Sequence, residues 1–233
     1  MRKYGLRFLL LAIAAVTAPT YADSLRVAVA SNFAPVLESL LDKEPPPLEV
    51  SIISGATGAL TSQILMGAPF DVLLAADAER PAKLAQLQAI AKPVCYAQGQ
   101  LVLSGATAID DIKTGGRIAI ANPLTAPYGR AAVEVLTRLN EPSLQVIQGN
   151  NAQQAFQFKA SGNVDFALIP ASLGDGLAIP DDWYRPIEQY GMSVRASNHP
   201  NHTDAQVFLL WLMSEQVQSH LNDYGYSRCQ HDP

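Results

Sequence analysis

Short unbroken apolar runs alternate along most of the chain with apolar residues at helical spacing. Residues 25–30 (Leu-Arg-Val-Ala-Val-Ala) read as a buried strand. Phe33, Val36, Leu37, Leu40 and Leu41 then fall at i, i+3, i+4, i+7 and i+8, one face of a helix, which Pro45, Pro46 and Pro47 stop. A strand over 48–53 follows, then a helix carrying Ala59, Leu60, Ile64 and Leu65 with Gly67 at its C-terminal end, then a strand over 71–76. Strands this uniformly apolar belong to a parallel sheet covered on both faces. The β-α alternation predicts an α/β doubly wound layer.

A second set repeats the pattern. Strands are expected at 101–103, 117–121, 144–147 and 166–169. Helices are expected around Ala131, Val135, Leu136 and Leu139 and over 152–160, with an irregular Gly-, Pro- and Asp-rich stretch at 174–186. Near the C-terminus, Thr203 and Gln206 match a capping box, and the apolar stretch 207–213 is expected to return to the first sheet. The resulting picture is two α/β lobes joined by two crossings, near 98–103 and 189–194. Lobe 1 would comprise 23–99 plus 194–233, and lobe 2 would comprise 100–193.

The first 22 residues stand apart. Arg2, Lys3 and Arg7 precede an uncharged apolar run at 8–16, and small residues lead to a cut expected after Ala22. This is the layout of a secretory signal peptide, too short in its apolar part to span a bilayer comfortably. The chain is therefore expected to be exported, to the periplasm. Its formal net charge of −5 becomes −8 once those three basic residues are gone. With no basic run beyond the leader, a nucleic-acid partner has little electrostatic support. Two cysteines, Cys95 and Cys229, exclude a disulfide-dense scaffold and a Cys-based zinc cluster. The spacing leaves open whether they are joined or are free buried thiols.

Four strand-to-helix turns carry the candidate chemistry. They contain Ser31 and Asn32; Ala56, Thr57 and Gly58; Asn122 through Tyr128 and Gly129; and Gly149 through Ala152. In open α/β sheets, ligands bind beyond the carboxyl ends of the strands. A helix start there offers unpaired N–H groups and about half a positive charge. Each turn alone also suits an ordinary helix cap. Together they suggest an uncharged, donor-rich site for a compact oxyanion. Catalytic signals are weak. His199 and His202 lie in a Pro/Asn-rich loop and read as surface residues, no nucleophile elbow or P-loop is present, and Asp71 and Asp77 read as a turn residue and a helix cap.

The stretch Ser54-Gly-Ala-Thr-Gly-Ala-Leu-Thr-Ser-Gln-Ile-Leu-Met-Gly-Ala-Pro-Phe-Asp-Val-Leu-Leu-Ala-Ala-Asp77 resembles the periplasmic molybdate-binding proteins, the substrate-binding components of ABC transporters. Val29-Ala-Ser31, Ala119-Ile-Ala-Asn-Pro123, Ala126-Pro-Tyr-Gly129 and Tyr224-Gly-Tyr226 support the likeness. It implies the type II periplasmic-binding-protein fold, and a non-enzymatic receptor that delivers molybdate or tungstate to a membrane permease, without a cofactor and expected as a monomer. Carried over by position, hydroxyl donors fall on Ser31 and Thr57, with Ala56 beside the latter. Further donors fall on Tyr128 and Ala152, and backbone N–H groups at Asn32 and Gly58 join them. A tyrosine found in some relatives after the last second-lobe strand is here Pro170, which donates nothing, while Tyr128 occupies a place that is often small in the family, so the pocket either differs in size or gains a phenol donor beside the backbone N–H. Sulfate, phosphate or an organic acid is the alternative ligand, and an exported hydrolase using Ser31 or a His199/His202 metal site is the remaining reading.

Overall fold

In the computed structural model, residues 24–88 and 90–229 are described; the expected leader and His231 lie outside them. The order of elements is β1 (Leu25–Ala30), α1 (Ala34–Lys43), β2 (Val50–Gly55), α2 (Thr57–Leu65), β3 (Val72–Ala75), α3 (Glu79–Gln88), β4 (Val94–Gly99), β5 (Leu101–Ser104), β6 (Gly116–Ala121), α4 (Pro127–Leu139), β7 (Leu144–Gly149), α5 (Ala152–Ala160), β8 (Phe166–Pro170), β9 (Leu177–Ala178), β10 (Ile187–Ser193), α6 (His202–Leu212), α7 (Glu215–His220) and β11 (Tyr226–Ser227).

Two sheets result. The first has the order β11-β4-β10-β3-β1-β2 and the second β7-β6-β8-β5-β9. Within the first, β1 pairs in parallel with both β2 and β3, and within the second β6 pairs in parallel with β7 and β8. Every residue of β3 is buried, because helices cover both faces there. Val27, Val29, Leu37, Leu40 and Leu74 form one core with Phe208 and Leu212 of α6, so the C-terminal apolar stretch does pack on the first sheet. Leu60, Leu73, Leu84 and Met192 pack on the other face. The N–H of Gly67 bonds Ile64 in a left-handed turn (φ +87°) beyond α2, a geometry that glycine adopts without a Cβ penalty.

Two expectations change, and one open alternative is decided. The segment 187–193, assigned above to the second lobe, is a strand of the first sheet, antiparallel to β3 and β4. Chain crossings therefore fall at Gln100, between β4 and β5, and between Tyr184 and Ile187. Gln189 is wholly buried in β10. Its amide is satisfied inside the protein, accepting from Asn32 Nδ2 at 2.8 Å and donating to the Ile187 carbonyl at 3.0 Å. The capping box at Thr203 is absent, because α6 begins at His202 with Asn201 as its cap residue and no side-chain cap bond. The cysteines are joined, with Cα atoms 6.2 Å apart, tying β4 to the tail.

Candidate functional site

The parallel register brings the four turns into pairs. Ala30 lies opposite Gly55, and the Ser31 N–H donates to the Gly55 carbonyl at 2.9 Å. In the second sheet Ala121 lies opposite Gly149, and the Asn122 N–H donates to the Gly149 carbonyl at 2.7 Å. The pairs then meet across the cleft. Ala56, Ala121, Ala126 and Ala152 form one buried cluster with Leu173 against it, and the Gly58 N–H reaches the Thr125 carbonyl at 2.8 Å. Gly129 makes the third turn feasible, since a Cβ there would overlap the carbonyl of Ala121 and the Asn122–Pro123 peptide.

The ordinary capping explanation fails at three of the four helix starts. The cap residues of α1, α2 and α4 are Phe33, Ala56 and Ala126, and none makes a side-chain cap bond. Only α5 is capped, by Asn151 accepting from the Gln154 N–H at 2.9 Å. Thr57 lies inside α2, and its hydroxyl oxygen accepts from the Ala76 N–H at 3.1 Å, leaving its own proton to donate elsewhere. Ser31 is buried as a residue, and its hydroxyl makes no hydrogen bond to the described residues. The N–H groups of Asn32, Thr57, Tyr128 and Ala152 likewise have no acceptor among the described residues. Left uncapped, a buried helix start retains donors that something else must satisfy. Such a constellation can hold an anion and offers it no basic group for proton transfer.

Two expected donors behave differently. The Gly58 N–H is already taken by Thr125. The Tyr128 phenol runs away from the turns to the hinge, where a Cβ at Gly99 would overlap its hydroxyl. It is buried and has no hydrogen-bond partner among the described residues, so Tyr128 offers the cleft its backbone alone. The Asn32 side chain also turns to the hinge, with Nδ2 donating to Gln189 and to the Tyr226 hydroxyl at 2.8 Å. Ser172 from the second lobe donates to the Asn32 carbonyl at 2.8 Å and lies 3.1 Å from the Tyr226 hydroxyl. His199 accepts from the Asn201 N–H at 3.2 Å, and the His202 ring lies 3.3 Å from the Arg195 carbonyl, so both imidazoles are engaged in their own loop.

The phenols of the hinge are shifted by their surroundings. Burial pushes Tyr96 and Tyr128 upward, with the neighbouring Tyr226 adding to both. Burial pushes Tyr226 up to about 12, against the opposing hydrogen bonds of Ser172 and Asn32. The folded protein thus keeps protons that the unfolded chain starts to release near 10. Stability contributed by Tyr226 is complete below that value and falls between 10 and about 12, by about 1.4 kcal/mol per pH unit. Urea denaturation at pH 9 and pH 11 is expected to show a smaller loss in Tyr226→Phe than in the native chain. An equal loss in both removes this role.

Sequence reasoning missed Arg80 and Arg130. Arg80 Nη2 donates to the Leu124 carbonyl across the cleft at 2.9 Å, and both guanidiniums bind Asp77. Asp77 does cap α3, accepting from the Arg80 N–H at 3.0 Å. The cap could be read locally, whereas the partner from the other lobe left no local signal.

Two doubly wound lobes closing on a cleft of uncapped helix starts define a bilobal solute-capturing protein. The family model described as bacterial extracellular solute-binding protein matches residues 25–227, and the chain belongs to that family. It is 33% identical over 231 residues to the molybdate-binding protein ModA of Rhodobacter capsulatus, covering 89% of this chain and 90% of that one. A similar likeness, 33% over 229 residues, covers 88% of this chain and 90% of the molybdate-binding protein ModA of Azotobacter vinelandii. Among solved structures, the periplasmic molybdate-binding protein of Azotobacter vinelandii superposes with a TM-score of 0.79 at 29% identity, over 89% of this chain and all of that one. The fold is the type II periplasmic-binding-protein fold.

Proposed function

We propose that this chain is a periplasmic receptor that closes its two lobes on molybdate, or the near-isosteric tungstate, and presents it to an ABC-transporter permease. The observation that carries the reading is the buried Ala56, Ala121, Ala126 and Ala152 cluster, which gathers the second, third and fourth donor turns at one seam, with the first tied to the second by the Ser31–Gly55 bond. Ser31 and Thr57 supply hydroxyl donors, and the backbones of Asn32, Tyr128 and Ala152 supply N–H groups. Ala56 contributes a small wall that leaves room for the anion. The names of the relatives point to the same ligand. No catalytic step is assigned. In this reading the leader is removed near Ala22 and the receptor works as a monomer, free to open and close.

Donors without acceptors suit a fully deprotonated tetrahedral dianion. Hydrogen phosphate brings an O–H that would face only other donors, which is costly in a water-excluded site. Sulfate matches the charge but is smaller, so an uncharged donor set tells the two apart by size alone.

A thermal-shift panel tests the reading. At a thousandfold excess over the dissociation constant a ligand stabilises by about 4 kcal/mol, which for a chain of this size raises Tm by about 10 °C. Molybdate and tungstate are expected to give that shift, with sulfate and phosphate giving much less. A larger shift with sulfate, phosphate or a carboxylate overturns the ligand assignment.

A further inference from the structure

We propose that Asp77, Arg80 and Arg130 form an electrostatic clasp that sets how much of the receptor is closed, and hence how tightly it holds its anion. They act as positioning residues and do not touch the ligand. The proposal rests on the capture reading above.

The geometry centres on one carboxylate. Asp77 follows β3 and is only 8% exposed. Its Oδ1 accepts from the Arg80 N–H, while its Oδ2 binds the Arg80 side chain and, at 3.0 Å, Arg130 Nη2. Arg80 belongs to the same lobe, and Arg130 lies in α4 of the other. Arg80 then reaches over the cleft to the Leu124 carbonyl, beside the Gly58–Thr125 bond. Arg130 Nη1 also approaches the exposed Glu79 at 3.5 Å. Opening the cleft must break the Asp77–Arg130 and Arg80–Leu124 contacts together, while Asp77 keeps Arg80 within its own lobe.

The clasp is also wired to the donors. Asp77 is one residue from Ala76, whose N–H holds the Thr57 hydroxyl oxygen. Arg130 is two residues beyond Tyr128, on the same first turn of α4. The ion pair therefore forms only when the two donor sets face each other. Apparent affinity scales with the fraction of molecules in the binding-competent state, and removing one partner of a shielded charge pair acts mainly on release. An N-cap role alone makes a different prediction. Asn at position 77 would keep the cap oxygen, and Arg130 would not matter at all.

The test uses the mature chain, sodium molybdate as probe, and the variants Asp77→Asn, Arg130→Met and both together. Calorimetry is expected to show about tenfold weaker binding for each single variant and no further loss in the double, because both remove the same contact. Arg130→Lys should recover part of the affinity. Small-angle X-ray scattering without any anion should show a larger radius of gyration in every variant that lacks the pair. Native affinity in both single variants, or losses that multiply in the double, overturns the clasp. Should the native chain bind no molybdate, the ligand reading falls. The scattering arm still decides the clasp in that case, since an unchanged radius in Arg130→Met refutes it.

Discussion

A Ser31→Ala, Thr57→Ala double variant should bind molybdate about a thousandfold more weakly than the native chain in calorimetric titration. In the proposed site each hydroxyl donates to a dianion, and hydrogen bonds to charged groups contribute about 1.5–3 kcal/mol. Two of them amount to about 4 kcal/mol, or three decades of affinity. The two sites differ in what else they hold. The Ser31 hydroxyl has no partner among the described residues, so its removal should leave ligand-free stability within about 0.5 kcal/mol of native. Thr57 also accepts the Ala76 N–H, so Thr57→Ala strands a buried donor and lowers Tm as well. Thr57→Ser separates the two effects, retaining the hydroxyl and most of the affinity. A double variant within threefold of native affinity removes both residues from the site.

Breaking the disulfide should have the largest effect on stability. Cys95 and Cys229 are separated by 134 positions, and closing a loop of that length restricts the unfolded chain by about 5 kcal/mol in the chain-entropy account. A Cys95→Ser, Cys229→Ser variant is therefore expected to melt roughly 10–20 °C lower. The bridge joins β4 to the tail after β11, and neither cysteine belongs to a donor turn, so molybdate affinity should remain within about twofold of native. Scanning calorimetry under oxidising and reducing conditions checks the first statement, and titration of the variant checks the second. An unchanged melting temperature overturns the first, and a collapse of affinity at retained fold overturns the second.

How far the chain could be read from its sequence depended on how local each signal was. Buried parallel strands such as β1 and β3 announce themselves as apolar runs, and α5 follows directly from the pattern over 152–160. Ser31 and Thr57 were visible because small hydroxyl residues before helices follow a familiar rule, although their use is the opposite of the usual one. Caps of α1, α2 and α4 are Phe33, Ala56 and Ala126, and the hydroxyls stand elsewhere. A chain that capped its own helix starts would have spent the donors. That inversion appears only once helix boundaries are known to the residue.

Other features were hidden because their partners are distant in sequence. β10 carries Glu188 and the buried polar residues Gln189 and Ser193, and Gln189 is held by Asn32, 157 positions away. Tyr128 sits at a turn that read as a source of phenol, yet Gly99 opens a space that draws its ring to the hinge. Arg130 carries no local signal of its role, because its partner Asp77, 3.0 Å away, lies 53 positions earlier.

The sequence by itself determined the alternation of strands and helices and the residue types at four turns. These depend on periodicity and on side-chain chemistry within a few positions. Only the tertiary structure decided which strand joins which sheet, that the four turns converge, that the cysteines meet, and which donors remain unspent. Those outcomes are set by hydrogen bonds and contacts between segments far apart in the chain, where no local preference reports what the partner will be.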